Sequence, residues 1–153
     1  MKRRAVQIRG ARHEDIPALI DAWYAMLVEC DLLGSGLVEN WQDRLQAHFA
    51  SQMQTGVMAW FVADDRGAIA GTACATLSAG SGFIYKRPVA TLSGIYVRPQ
   101  YRNCGIARAL TNAAIDWCRE RECSVIRLVA SDAGRPLYES LGFEPGAEMR
   151  LLL

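Results

Sequence analysis

A chain of 153 residues, 51% hydrophobic and 22% charged, matches one globular domain and excludes a disordered chain. Its 17 Lys+Arg against 16 Asp+Glu leave a formal charge of +1, so no bulk field draws it to nucleic acid and any anion site has to be local. Met1, Lys2, Arg3 and Arg4 are followed by no apolar run, and the five cysteines are scattered without a CxxC pair. This predicts no signal peptide, no membrane partner, a cytoplasmic address, and reduced thiols packed mostly in the core.

In chain order, residues 6–9 read as a short strand. Ile16, Leu19, Ile20, Trp23, Leu27 and Cys30 then recur at helical spacing and predict a core-facing stripe. After the Gly34, Ser35, Gly36 break, Leu37, Val38, Trp41, Leu45, Phe49 and Met53 predict a second amphipathic helix over 37–54. The period then shortens to two. Strands are expected over 57–63 and 68–77, joined by a turn at Asp64, Asp65, Arg66 and Gly67. A connection over 78–88 leads to another strand over 90–97, interrupted by Gly94, which marks a bulge or a close approach, and ended by Pro99. Residues 105–122 predict a strong helix with Ile106, Ala109, Leu110, Ala113, Trp117 and Cys118 on its apolar face. Residues 124–130 predict a strand, Pro136 to Leu141 a short helix closed by Gly142, and 148–153 a last strand. The order βααβββαβαβ is an α/β arrangement with antiparallel hairpins early and a strand-loop-helix-strand unit in the second half.

The most informative stretch joins the strand at Ile95, Tyr96 and Val97 to the helix at Ile106, Ala107 and Arg108 through Arg102, Asn103, Cys104 and Gly105. Such a junction aims unpaired N–H groups and the positive end of a helix dipole at one point, which favours a phosphate. Arg102 and Arg108 would add charge-assisted hydrogen bonds. Taken alone, the same residues serve equally as a tight turn flanked by solvated arginines. Neither a GxGxxG fingerprint nor a GxxxxGK loop is present.

The run Arg102-Asn103-Cys104-Gly105-Ile106-Ala107, with Val97-Arg98-Pro99 before it and Leu137-Tyr138-Glu139-Ser140-Leu141-Gly142-Phe143 after it, resembles the general N-acetyltransferase (GNAT) superfamily. One element matches its Q/R-x-x-G-x-G/A loop and the other its LYExLGF signature. The resemblance implies a mixed, mostly antiparallel sheet flanked by helices, with a splayed central strand pair around Gly94 and Leu128. It implies that backbone amides from Asn103 to Arg108 hold the pyrophosphate of acetyl-CoA, the cosubstrate, and that the edge at Ile95, Tyr96 and Val97 pairs with the pantetheine arm. An N–H near Ile95 or Tyr96 would stabilise the oxyanion. Ser131 stands where relatives often carry a cofactor-contacting asparagine, and Ile126 where some carry a catalytic glutamate.

By the same resemblance, Tyr138 is the side chain that donates a proton to the leaving thiolate. Glu29, Asp31 and Asp132 are candidate bases, though each reads more readily as a solvated carboxylate or helix cap, and His13 and His48 are weaker candidates. Cys104 reads as a loop filler rather than a nucleophile. The expected activity is direct acetyl transfer to a primary amine of a small molecule or peptide. A non-catalytic acyl-CoA-binding sensor or partner-binding module on the same fold is the alternative. The acceptor is not legible, because its pocket falls in loops, and a homodimer is compatible with the sequence.

Overall fold

The computed structural model describes residues 6–78 and 86–153. β1 (Gln7–Gly10) is followed by a short 3₁₀ turn and two helices, α1 (Ile16–Glu29) and α2 (Trp41–Gln54). Three strands come next, β2 (Met58–Asp65), β3 (Ala68–Leu77) and β4 (Val89–Val97). Then α3 (Ile106–Glu120), β5 (Val125–Arg127) and α4 (Arg135–Ser140) complete the chain. The five strands form one sheet in the order β1-β2-β3-β4-β5. The first three pairs are antiparallel and β4 with β5 is parallel, as a strand-helix-strand unit requires.

Three layers result. On one face of the sheet α1 and α2 bury Ile16, Leu19, Ile20 and Phe49 against Met58, Trp60, Val62 and Ile69. On the other, α3 buries Ile106, Leu110, Ala114, Ile115 and Cys118 against Ala63, Ala73, Ala75, Leu92 and Val97. Covered on both faces, β3 is buried from Ile69 to Ala75 without the alternation of a half-exposed strand. Its residues are mostly small because helices approach from both sides. The buried face of α3 also takes in Thr111, whose hydroxyl donates to the Ala107 carbonyl at 2.7 Å and so enters the core satisfied.

Several expected boundaries move. The second helix starts at Trp41 rather than Leu37, because Asn40 adopts a left-handed conformation and leaves Leu37 and Val38 exposed. The β2–β3 turn tightens to Arg66 and Gly67, both at positive φ, and Asp64 accepts the Gly67 N–H at 2.6 Å. Among the described residues the strand expected over 124–130 pairs only from Val125 to Arg127, and the last strand expected over 148–153 is not formed. A strand needs a neighbour, and among the described residues neither 128–130 nor 148–153 has one. Of the cysteines, Cys74 and Cys118 are core residues as expected, but Cys30 and Cys104 are exposed. Most of the 78–88 connection, residues 79–85, lies outside the described residues.

An ion-pair cluster fixes the start of the fold. Arg9 on β1 donates to both Asp15 oxygens, at 2.7 and 3.0 Å, and to Asp64 on β2 at 3.0 Å. The hydrogen bonds from Arg9 hold the Asp15 carboxyl below its ordinary range. Because that pKa is depressed in the folded state, the stabilisation is complete above about pH 4 and is lost as pH falls through the lowered value.

Gly94 sits in a bulge. Thr72 pairs with Tyr96 and Cys74 with Ser93, so Ala73 faces both Gly94 and Ile95. The Gly94 carbonyl, displaced from the ladder, accepts the buried Thr72 hydroxyl at 2.8 Å. Its φ is +58°, and a Cβ there would meet the Trp60 ring at 2.5 and 2.7 Å. Gly94→Ala should therefore lower stability by about 2–4 kcal/mol, combining left-handed strain with overpacking against an aromatic ring. Chemical denaturation measures this, and a change below about 0.5 kcal/mol would show that the bulge can relax.

Candidate active site

A cavity of about 460 Å³ opens where β4 leaves β5. The two strands pair only at Val89 with Val125, Ala90 with Ile126 and Thr91 with Arg127. Beyond Thr91 the β5-facing edge of β4 has no strand beside it among the described residues, and Ile95, Tyr96 and Val97 line the cavity. The floor at the far end is the loop after Pro99, where Asn103 (φ 59°) and Gly105 (φ 81°) turn the chain into α3. Among the described residues no side chain caps α3, and its first-turn amides at Ile106, Ala107 and Arg108 have no acceptor there. A Cβ at Gly105 would meet nothing within 4 Å. Open space, uncapped amides and the positive end of a 15-residue helix therefore coincide, as an anion site needs.

The opposite wall is built by the end of α1, with Met26, Glu29 and Cys30, and by Ser131, Gly134, Leu137 and Tyr138 on and before α4. Tyr138 is half-buried, its ring edge-on to Phe143 at 6.0 Å between centroids. Gly134 lets that ring approach: a Cβ there would lie 2.9 Å from Tyr138 Cε2. Burial, and secondarily the neighbouring Cys30 thiol, push the Tyr138 phenol above its ordinary pKa of 10.0. Its hydroxyl stays protonated throughout the neutral range.

The residues expected to bind the cofactor, and Tyr138, line this cavity except Cys104, whose thiol lies outside and is turned back toward the Arg102 carbonyl at 3.3 Å. The two arginines are occupied differently from the expectation. Arg102 donates from Nε to the Val97 carbonyl at 2.8 Å and from Nη2 to Glu29 Oε2 at 2.7 Å, with its guanidinium 5.6 Å over the Tyr96 ring. Arg108 donates to the Ser140 hydroxyl at 2.7 Å and so ties α3 to α4. Both act first as struts of the cavity wall. The hydrogen bond from Arg102 holds the Glu29 carboxyl below its ordinary range, which makes it a poorer base. Asp31 and Asp132 do not line the cavity. Sequence reasoning missed Met26 and the approach of Cys30 to Tyr138. Both follow from how the end of α1 lies over β4, which no local pattern encodes.

The model of the acetyltransferase (GNAT) family matches residues 20–143, a span that contains the strand edge, the loop and α4. The chain belongs to the GNAT acetyltransferase family. A curated relative, an uncharacterised N-acetyltransferase of Methanocaldococcus jannaschii, is 38% identical over 64 residues. That match spans 40% of this chain and 28% of the relative. Among solved structures, a predicted acetyltransferase with acetyl-CoA from Clostridium acetobutylicum superposes with a TM-score of 0.82 at 23% identity, over 97% of this chain and 96% of that one. A GCN5-related N-acetyltransferase from Ralstonia eutropha superposes with a TM-score of 0.81 at 23% identity, covering 97% and 99%. These likenesses show that the GNAT fold extends over nearly the whole chain.

Within this GNAT chain the Arg102–Glu29 pair joins the end of α1 to the loop, but both side chains are more than a third exposed. A double-mutant cycle of Arg102→Ala and Glu29→Gln should return a coupling of about 0.2–1 kcal/mol that shrinks with added salt. A salt-insensitive coupling above about 2 kcal/mol would mean that the pair is shielded from solvent.

Proposed function

We propose that this GNAT chain transfers acetyl from acetyl-CoA directly to a primary amine of a small molecule or peptide, with Tyr138 as the proton donor to the leaving thiolate. One observation carries the reading: the unpaired edge of β4, the uncapped start of α3 and the protonated phenol of Tyr138 line the same cavity. The acetyl-CoA present in the Clostridium acetobutylicum structure supports the same cosubstrate here.

The protein's part is to hold, orient and protonate. The amides of residues 103–108 bind a pyrophosphate without needing side-chain cations. The β5-facing edge of Ile95, Tyr96 and Val97, where the Val97 carbonyl already accepts from Arg102, receives an extended amide-containing arm as a further strand. An N–H beside the bulge supports the developing oxyanion. The acetyl thioester supplies an activated carbonyl. As the amine nitrogen bonds to it and the carbon–sulfur bond breaks, the nitrogen gives up a proton to water while the Tyr138 hydroxyl passes its proton to sulfur and is later reprotonated from solvent.

Among the described residues lining the cavity, Glu29 is the carboxylate, and Arg102 keeps it a weak base. The ammonium proton of the acceptor is therefore lost to water rather than to a strong side-chain base. The rate at limiting acceptor should rise with pH toward the acceptor's own pKa, without a falling limb from Tyr138 below pH 10, since that phenol is raised. Tyr138→Phe should lower turnover at saturating substrates by about 10²-fold while leaving acetyl-CoA affinity nearly unchanged. Gly105→Val, at φ +81°, should do the opposite by filling the anion space. Single-turnover transfer against an amine panel, together with calorimetric acetyl-CoA binding, measures both. Wild-type turnover in the Tyr138 variant would reduce Tyr138 to a packing residue, and cofactor binding without thiol release from any amine would favour a binding module.

A further inference from the structure

Thr72 on β3 is a polar side chain at 0% exposure, and it does not line the cavity. A hydroxyl buried so deeply needs a partner. It donates to the Gly94 carbonyl of β4 at 2.8 Å. Gly94 and Ile95 drop out of the β3–β4 register, which passes directly from the pair of Cys74 with Ser93 to the pair of Thr72 with Tyr96. The peptide that joins them thus lies outside the regular ladder, and Thr72 is bonded to its oxygen. That peptide is trans and planar, so its C=O and N–H point in opposite directions. With the oxygen turned toward Thr72, the Ile95 N–H is turned away from it.

We propose that Thr72 is a positioning residue: by holding the Gly94 carbonyl it aims the Ile95 N–H into the cavity, at the acetyl oxygen of the thioester. This deepens the acetyl-transfer reading and rests on it. Ile95 lines the cavity, on the stretch of β4 that has parted from β5. From the α1 and α2 side, the Trp60 ring fills the place of a Gly94 Cβ and leaves the glycine at φ +58°, so the peptide is held from two directions. The bond to its oxygen also polarises the peptide and strengthens its N–H as a donor. As the amine nitrogen bonds to the acetyl carbon, the carbonyl π pair moves onto oxygen, and the Ile95 N–H hydrogen-bonds to that charge without giving up its proton. The pair returns as the carbon–sulfur bond breaks, with sulfur taking the Tyr138 proton and water the proton from nitrogen. A donor aimed in advance needs no reorganisation as the charge develops. The pyrophosphate amides at 103–108 are separate from the bulge, so Thr72 acts on the rate more than on cofactor affinity.

The test uses the full chain. Thr72→Val keeps the branched shape and removes the hydroxyl; turnover at saturating substrates should fall about 10–100-fold, part of the cost of losing an oxyanion donor, with calorimetric acetyl-CoA affinity within about twofold of wild type. Thr72→Ser, which restores the hydroxyl, should recover turnover to within about threefold. In isotope-edited infrared difference spectra, the bound acetyl carbonyl should stretch at lower frequency in wild type and Thr72→Ser than in Thr72→Val. A Thr72→Val protein that is less stable but keeps wild-type turnover and carbonyl stretch overturns the proposal and leaves Thr72 as a partner for the bulge alone. If Thr72→Val does not fold, NMR of the labelled wild type decides: the Ile95 amide proton should move downfield with a non-transferable acetyl-CoA analogue relative to CoA, and an equal response to both overturns the assignment. A wild type that neither binds acetyl-CoA nor transfers acetyl sinks the acetyl-transfer reading together with this inference, whereas an active wild type matched by Thr72→Val sinks the inference alone.

Discussion

β4 and β5 run side by side for only three residue pairs, Val89 with Val125, Ala90 with Ile126 and Thr91 with Arg127, and then separate. Most features of the site depend on that parting. It leaves the β5-facing edge of Ile95, Tyr96 and Val97 without a strand beside it among the described residues, with the Val97 carbonyl served by Arg102 instead. Backbone groups on such an edge need a partner when sealed from water. The bulge at Gly94 sits at the start of this free stretch. It is held by the Thr72 hydroxyl beneath it and by the Trp60 ring packed against the glycine. The helices α1 and α2 on one face and α3 on the other keep the sheet rigid around the gap.

Charge is distributed to match. The cationic side chains lining the cavity, Arg102 and Arg108, are bonded within the protein, one to Val97 and Glu29 and the other to Ser140. They shape the walls and supply a positive background, while the uncapped amides of α3 supply the directional donors. The phenol of Tyr138 is tuned the other way, toward staying neutral, by burial against Phe143 and Gly134. A donor kept protonated and amides kept unpaired are complementary requirements of one acyl-transfer cavity.

The parts of this arrangement encoded by neighbours in sequence were legible in advance. Helical spacing in 16–30 and 106–118, the Arg66-Gly67 turn and the glycine-bearing loop before α3 are local patterns, and the fold built from them is the GNAT fold. Gly94 announced a bulge because a glycine inside a strand pattern signals one. Less visible were features set by long-range packing. Nothing near Arg102 in sequence shows that Glu29, 73 residues away, would occupy its guanidinium, nor that the end of α1 would bring Cys30 to Tyr138. The overlong strand over 124–130 and the missing last strand share one cause: alternation reports strand propensity, whereas pairing depends on what lies alongside.

The most direct measurement is a crystal structure of the chain with a non-transferable acetyl-CoA analogue. It should place the pyrophosphate on the amides of residues 103–108, the pantetheine arm along Ile95, Tyr96 and Val97, and the sulfur within hydrogen-bond distance of the Tyr138 hydroxyl. An analogue bound elsewhere, or seated in the gap with its sulfur far from Tyr138, would contradict the account.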